Sequence, residues 1–204
     1  MPILTQTHVT LLIDATASMF PYVTQVVDGL NYYVKELCAH TPGPVFATLA
    51  TFAEEVTVHY RQRPLHQVDK IRLETYDPVG QTALYDSIAQ TLAGIPAGVT
   101  APGGQRQLLI VLTDGEDVCS HLSLTMCAEQ IAQAQAQGVR IVFLGDGDEA
   151  LALAHVLGIP EGCRYSFLAR DGLRGVFQML ATQTVNALTE VATRGLLPTR
   201  FFGN

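Results

Sequence analysis

The chain is poor in charge: Asp, Glu, Lys and Arg together make up 15% of its 204 residues, against 48% apolar residues. That balance excludes a disordered segment and points to one compact domain with a full core. Basic residues are the scarcer sign, 12 against 19 acidic ones, for a formal charge of −7. Neither a nucleic acid nor an anionic membrane surface is an expected partner of such a chain. No uninterrupted apolar run reaches membrane-spanning length, and the opening MPILTQTHVT lacks the basic flank and apolar core of a signal peptide, so the expected compartment is the cytoplasm. Cys38, Cys119, Cys127 and Cys163 show no Cys-x-x-Cys spacing; buried free thiols are expected in place of a zinc site. Also missing are a G-x-x-x-x-G-K-[ST] phosphate loop and a G-x-S-x-G nucleophile motif, and the histidines are dispersed.

What the chain does have is a repeated way of ending a strand. Val9 to Ile13 is apolar on both faces, as in the centre of a parallel sheet, and is followed at once by Asp14, Thr16 and Ser18. Gln107 to Thr113, with LLIVL at its centre, likewise runs into a carboxylate, Asp114, followed by Gly115, Glu116 and Asp117. In open α/β sheets, ligands collect beyond the carboxyl ends of the strands, which is where these residues fall. One anionic and two neutral oxygens within five residues suit a hard divalent cation. The plainer alternative is that Ser18 caps the following helix and Asp14 closes a turn.

Around these strands the pattern alternates. A helix is expected over Pro21 to Cys38, with Val23, Val26, Val27, Leu30, Val34 and Leu37 on its inner face. Phe46–Phe52 and Val56–Tyr60 read as an antiparallel hairpin, because the three residues between them are too few for a parallel crossover. A helical turn falls within His66 to Glu74, and Thr82 stands at the start of a helix carrying Leu84, Ile88 and Leu92. Gly94 to Gly104 reads as a mobile surface loop. Helices over Leu122–Gln137 and Glu149–Leu157, strands over Val139–Leu144 and Arg164–Phe167, and a long helix opened by Asp171 complete the order. The fold class is therefore α/β: a doubly wound, mostly parallel sheet of about six strands, with one antiparallel edge strand and helices on both faces. Residues 1–192 form the domain and 193–204 a tail whose Phe201 and Phe202 either dock on the domain or serve as a handle for a partner.

Asp14, Thr16 and Ser18 after one strand, Thr82 at a helix start and Asp114 after another strand make five oxygen donors on three separate pieces of chain. If the two strands are neighbours their ends lie about 5 Å apart, and two carboxylates at roughly 6 Å repel by about 3 kcal/mol at an effective dielectric of about 20. A divalent cation between them reverses that sign.

Taken together, DATAS at Asp14–Ser18, GQTALYDSI around Thr82 and LTDGED around Asp114 resemble the von Willebrand factor type A domain family and its metal-ion-dependent adhesion site. That site reads D-x-S-x-S, then a distant threonine, then a later aspartate. Thr16 departs from the pattern but keeps the hydroxyl. The resemblance implies a Rossmann-like fold and no enzymatic activity. It implies direct metal contacts from Thr16, Ser18 and Thr82, with Asp14 and Asp114 acting directly or through water. The cation would be Mg²⁺, with Mn²⁺ or Ca²⁺ as substitutes, and a partner protein would complete its shell with a Glu or Asp. It further suggests a bacterial, intracellular assembly module working beside an AAA+ ATPase or in a stress or defence system. A Mg²⁺-dependent phosphohydrolase with Asp14 as nucleophile is the enzymatic alternative. It is weakened by Thr16 standing where D-x-D-x-[TV] needs an acid, and by Lys35 and Lys70, the only lysines, being misplaced. A metal-free structural subunit is the third reading. Asp146 and Asp148 in GDGDEA could serve a second cation, but helix capping by Asp148 is the simpler expectation. Glu116 and Asp117 are read as an acidic rim, and Asp86 as facing either the crevice or solvent.

Overall fold

The chain is described from a computed structural model, over residues 6–96, 105–167, 172–194 and 197–202. The two apolar runs form the central strands, β1 (Thr7–Asp14) and β4 (Arg106–Thr113), paired in parallel and buried at every position. Their neighbours are β2 (Val45–Phe52) beside β1 and β5 (Arg140–Gly145) beside β4, both parallel. The short β6 (Arg164–Ser166) closes one edge. The other edge is β3 (Val56–Pro64), antiparallel to β2, so the sheet order is β3-β2-β1-β4-β5-β6. This is the expected α/β sheet. β3 continues to Pro64, beyond the expected end at Tyr60, because a register shift opposite Leu49 lets it bend and go on pairing.

Among the described residues, five α-helices cover the sheet. α1 (Val23–His40) packs along α5 (Gly172–Arg194), and α2 (Leu84–Ala93) packs against α3 (Leu124–Ala136), while α4 (Gly147–Val156) lies against β5 and β6. The expected helix at Pro21 starts later than its periodicity suggests. Ala17–Tyr22 is a 3-10 segment containing Pro21, with the Met19 N–H donating to the Thr16 carbonyl at 3.0 Å. The tighter turn belongs to the loop that ends β1, and only beyond it does the regular helix with buried Val26, Val27, Leu30 and Leu37 begin. His66 to Glu74 holds parts of two 3-10 turns, Leu65–Gln67 and Leu73–Thr75. Most of the segment expected to be a mobile loop, residues 97–104, lies outside the described residues, as does Asp171.

The core runs between sheet and helices on both faces and includes Leu197, Phe201 and Phe202 near the terminus. The backbone N–H groups of Phe201 and Phe202 both donate to the Gly162 carbonyl at 2.7 Å, and the Phe202 ring lies against Tyr165. The aromatic pair therefore seals the β6 edge and is not presented to solvent. Of the four free thiols, Cys127 and Cys163 are buried, but Cys38 is exposed and Cys119 half-exposed. Among the described residues no helix is long and apolar enough to cross a membrane.

Candidate metal centre

Because β1 and β4 are adjacent and parallel, Asp14 and Asp114 leave the sheet side by side at its carboxyl edge. Asp14 is fully buried. Its Oδ1 accepts the Thr16 N–H at 2.8 Å, its Oδ2 accepts the Thr113 hydroxyl at 2.6 Å, and its carbonyl accepts the Tyr76 hydroxyl at 2.5 Å. From there a line of side-chain oxygens leads outward. The Thr16 and Ser18 hydroxyls are hydrogen-bonded at 3.0 Å, and the Ser18 hydroxyl donates to Asp114 Oδ1 at 2.8 Å. Thr16 is buried, Asp114 half-buried and Ser18 exposed, so the line runs from the core to the open end of the crevice. Ser18 is not a helix cap; the 3-10 turn has no side-chain cap, and the hydroxyl is turned to the opposing carboxylate.

Thr82 arrives from a third loop and is also buried. Its hydroxyl faces Gly115, at 3.8 Å from where a β-carbon on that glycine would sit. Neighbouring backbone groups fix its position. The Gln81 N–H donates to Glu54 Oε1 at 2.8 Å, the Ala83 N–H to the Ala53 carbonyl at 3.0 Å, and the Thr82 carbonyl accepts the N–H groups of Val118 and Cys119. The loop after β4 is held in turn by α2. Asp117 accepts the Tyr85 N–H and the Ser120 hydroxyl, while Asp86 accepts the N–H groups of His121 and Leu122 at 2.8 and 2.9 Å. Asp117 and Asp86 thus staple the first turn of α2 to the loop after β4, a role that neither an acidic rim nor a solvated helix face describes.

The electrostatics of the crevice are those of buried acids. Burial pushes the Asp14 carboxyl above its ordinary range, the hydrogen bonds from Thr113 and Thr16 pull it back in part, and the Asp114 charge adds to the rise. Burial raises Asp114 as well, against the Ser18 hydrogen bond. Two partly desolvated carboxylates facing each other are unfavourable unless a positive charge compensates them. Among the described residues no cluster of three or more His, Cys, Asp or Glu side chains could hold a metal, so a cation here must rely on hydroxyls. Three hydroxyls and two carboxylates form an all-oxygen set, which suits Mg²⁺ or Mn²⁺ better than a metal that prefers nitrogen or sulfur.

The structure corrects the reading of the GDGDEA segment. Helix α4 starts at Gly147, whose φ of +77° bends the chain into the helix, so Asp146 holds the cap position and Asp148 lies inside the first turn. Neither side chain caps. Thr113, Tyr76 and Glu54 are the supporting residues that sequence reasoning missed. A lone threonine ending an otherwise apolar strand was a signal for Thr113; nothing local marks the other two.

Gly80 sets the Thr82 loop. Its φ is +86°, and an added β-carbon would lie 2.2 Å from Glu54 Oε2, the carboxylate that holds Gln81. Gly80→Ala should weaken Mn²⁺ binding by about tenfold, as loss of an outer support typically does, while circular dichroism stays native. Unchanged affinity by calorimetry would show that the Glu54 clamp does not position Thr82.

No family model matches the sequence, and no curated protein matches it at the level of sequence. Solved structures do match in shape. Proximal thread matrix protein 1 from the mussel byssus, with a zinc-occupied MIDAS motif, superposes with a TM-score of 0.65 at 18% identity, over 90% of this chain and 46% of that one. A von Willebrand factor type A protein from Catenulispora acidiphila gives 0.58 at 17% identity, over 89% and 43%. Manganese-loaded Plasmodium vivax TRAP gives 0.56 at 18%, over 85% and 71%. The chain thus spans about half the length of the mussel protein, and at these identities the likeness is one of fold.

Proposed function

We propose that this chain, whose fold is that of a von Willebrand factor type A domain, is a divalent-metal-dependent protein-binding module that takes an acidic side chain of a partner. The observation that carries the reading is the run of hydrogen bonds from buried Asp14 to the Thr16 N–H, and from the Thr16 hydroxyl through that of Ser18 to Asp114. Hydroxyls converging on one buried and one half-buried acid, with no cationic side chain hydrogen-bonded to either among the described residues, support a metal between them. Thr16, Ser18, Thr82, Asp14 and Asp114 would hold Mg²⁺ or Mn²⁺, which when bound offers a positive charge and a free coordination position to a partner's Glu or Asp. The metal-bearing neighbours, zinc in the mussel protein and manganese in TRAP, are consistent with this assignment.

The surroundings support a protein partner. Phe20, Val79 and Val118 are 71%, 66% and 64% exposed, and each sits on one of the three loops that supply the site. An apolar rim around a charged centre is the composition of a binding hot spot, with water excluded around one desolvated charge pair. The phosphohydrolase reading is less well supported, because both oxygens of Asp14 already accept hydrogen bonds and the side chain has no exposed surface to present to a phosphoryl group.

Display of random peptides against the immobilised full chain tests the proposal. In Mg²⁺ the retained peptides should share a Glu or Asp beside apolar residues, and EDTA should release them. Phe20→Ser should weaken the best peptide by about tenfold without changing Mn²⁺ affinity. Retention of acid-free peptides, or retention in EDTA, would sink the reading.

A further inference from the structure

On the α2 face of the sheet, away from the strand ends that carry the acids, the lower half of the parallel strands is polar where such strands are ordinarily apolar. His8 and Thr10 of β1, Thr48 of β2 and Gln107 of β4 lie on this face in register. Helix α2 has 10 residues, about 15 Å of length, against about 26 Å for the eight residues of β1. It therefore does not extend over the amino ends of the strands, and a cavity of about 50 Å³ opens there.

The inner wall of that cavity holds hydrogen-bonding groups with nothing to bond. His8 and Gln107 are 7% and 2% exposed, and both ring nitrogens of His8, Nε2 of Gln107 and Oγ1 of Thr91 are buried without a partner. Unmet buried polar groups each carry a desolvation penalty, so several facing one cavity indicate a site that something polar fills. Burial holds the His8 imidazole below its ordinary range, leaving it neutral with one donor and one acceptor.

The outer wall is shaped by an irregularity in β3. Between the pairs Leu49↔Tyr60 and Ala47↔Arg63 the edge strand carries an extra residue, and Gln62 takes a φ of +47°, the only positive φ of a non-glycine among the described residues. Its N–H donates to the Thr48 hydroxyl at 3.0 Å. A non-glycine held in that conformation is strained, and such strain gathers at ligand sites. The bulge brings Arg61 to the rim, where its guanidinium lies over Gly94. Val56, Val58 and Ile95 complete the wall, and among the described residues no Asp or Glu lines the cavity, in a chain that has 19 of them.

We propose that this cavity is a second binding site, independent of the metal centre, for a small organic carboxylate: its oxygens bond to Gln107, Thr91 and His8, its charge faces Arg61, and its short aliphatic part lies against Val56, Val58 and Ile95. A single cation, several neutral donors, an apolar wall and no opposing acid select this class over a cation, which finds no charged ligand, and over a larger ligand, which finds no room.

The test is titration of the full chain with butyrate in EDTA, followed by ¹⁵N–¹H spectra of the Gln107 side-chain amide. Saturable shifts at about millimolar butyrate are expected, with affinity reduced about tenfold or more by Arg61→Gln, an exposed position whose change leaves the core alone, and similarly by Thr91→Val. Butyramide, which has the shape without the charge, should bind at least tenfold more weakly. Equal binding of butyramide would overturn the carboxylate assignment. So would equal competition by inorganic phosphate, and a linear, unsaturated response would show a cavity filled by water alone.

Discussion

Asp14→Asn should unfold at a higher temperature than the wild type in EDTA and at a lower one in millimolar Mg²⁺. The crossing follows from what surrounds the carboxylate. Asp14 is fully buried and its folded-state pKa is raised, by burial first and by the Asp114 charge in addition. A carboxyl whose pKa rises on folding binds its proton more tightly in the native state, so stability falls as pH climbs through the unfolded and then the folded value, and the full penalty is present above the folded value. Asparagine removes the charge and keeps an acceptor for the Thr16 N–H, while the Thr113 hydroxyl can turn to accept from the new amide. The apo protein should gain stability, and its loss of stability between acid and neutral pH should flatten.

With metal the sign reverses. A ligand that binds only the native state at about a hundred times its Kd adds about 2.7 kcal/mol, which for a chain of this size is roughly 5–10 °C in Tm. The wild type should show that rise and Asp14→Asn should show none. Scanning calorimetry of both proteins in EDTA, Mg²⁺, Mn²⁺, Ca²⁺ and Zn²⁺ reads both halves at once. A wild type indifferent to every cation would remove the metal from the mechanism. A mutant that still responds would move the site elsewhere.

The parts of this site that could be read from the sequence are those in which local pattern and sheet topology agree. Two apolar runs, each ending in an acid, had to be central strands, because an edge strand cannot bury both of its faces, and β3, in which no residue is fully buried, shows the contrast. Once Asp14 and Asp114 were at neighbouring strand ends, Thr16, Ser18 and Thr82 followed. The supporting groups were not legible, because each depends on a contact between distant segments. Tyr76 reaches the Asp14 carbonyl across 62 residues, and Glu54 reaches Gln81 across 27. Asp117 was misread as a rim residue, and Asp86 left open between crevice and solvent, for the same reason: the part an acid plays is hidden until the loop or helix whose N–H groups it accepts is placed against it. At Asp148 the error was one of helix boundary, since the left-handed Gly147 starts α4 earlier than its apolar periodicity suggests.

This division separates residues that make the site from residues that make the frame, and Gly29→Ala tests the frame alone. Gly29 lies in α1, downstream of the loop that carries Thr16 and Ser18, and a β-carbon there would sit 2.0 Å from Cδ2 of Phe177 in α5. Phe177 is 1% exposed, so its ring has no open space to move into. The two helices must part or the ring must leave its rotamer. Overpacking of this kind costs about 3 kcal/mol, at the upper end of the usual range, against the roughly 1 kcal/mol that alanine gains over glycine through helix propensity, which leaves a net loss of about 2 kcal/mol. The contact does not stand alone. Further along the same helices the Tyr33 hydroxyl donates to Thr184 at 3.0 Å, and the Thr184 hydroxyl donates to the Leu180 carbonyl of its own helix; a parted α1 would strand the Tyr33 hydroxyl in the core. A fall in Tm of roughly 4–8 °C is therefore expected, equal in EDTA and in Mg²⁺, so that the metal-induced increment survives intact. That is the opposite of the Asp14→Asn pattern, in which the increment vanishes and the frame gains stability. If Gly29→Ala also abolished the increment, α1 could not be a passive support, and the Thr16–Ser18 loop would have to be coupled to the seating of α1 on α5.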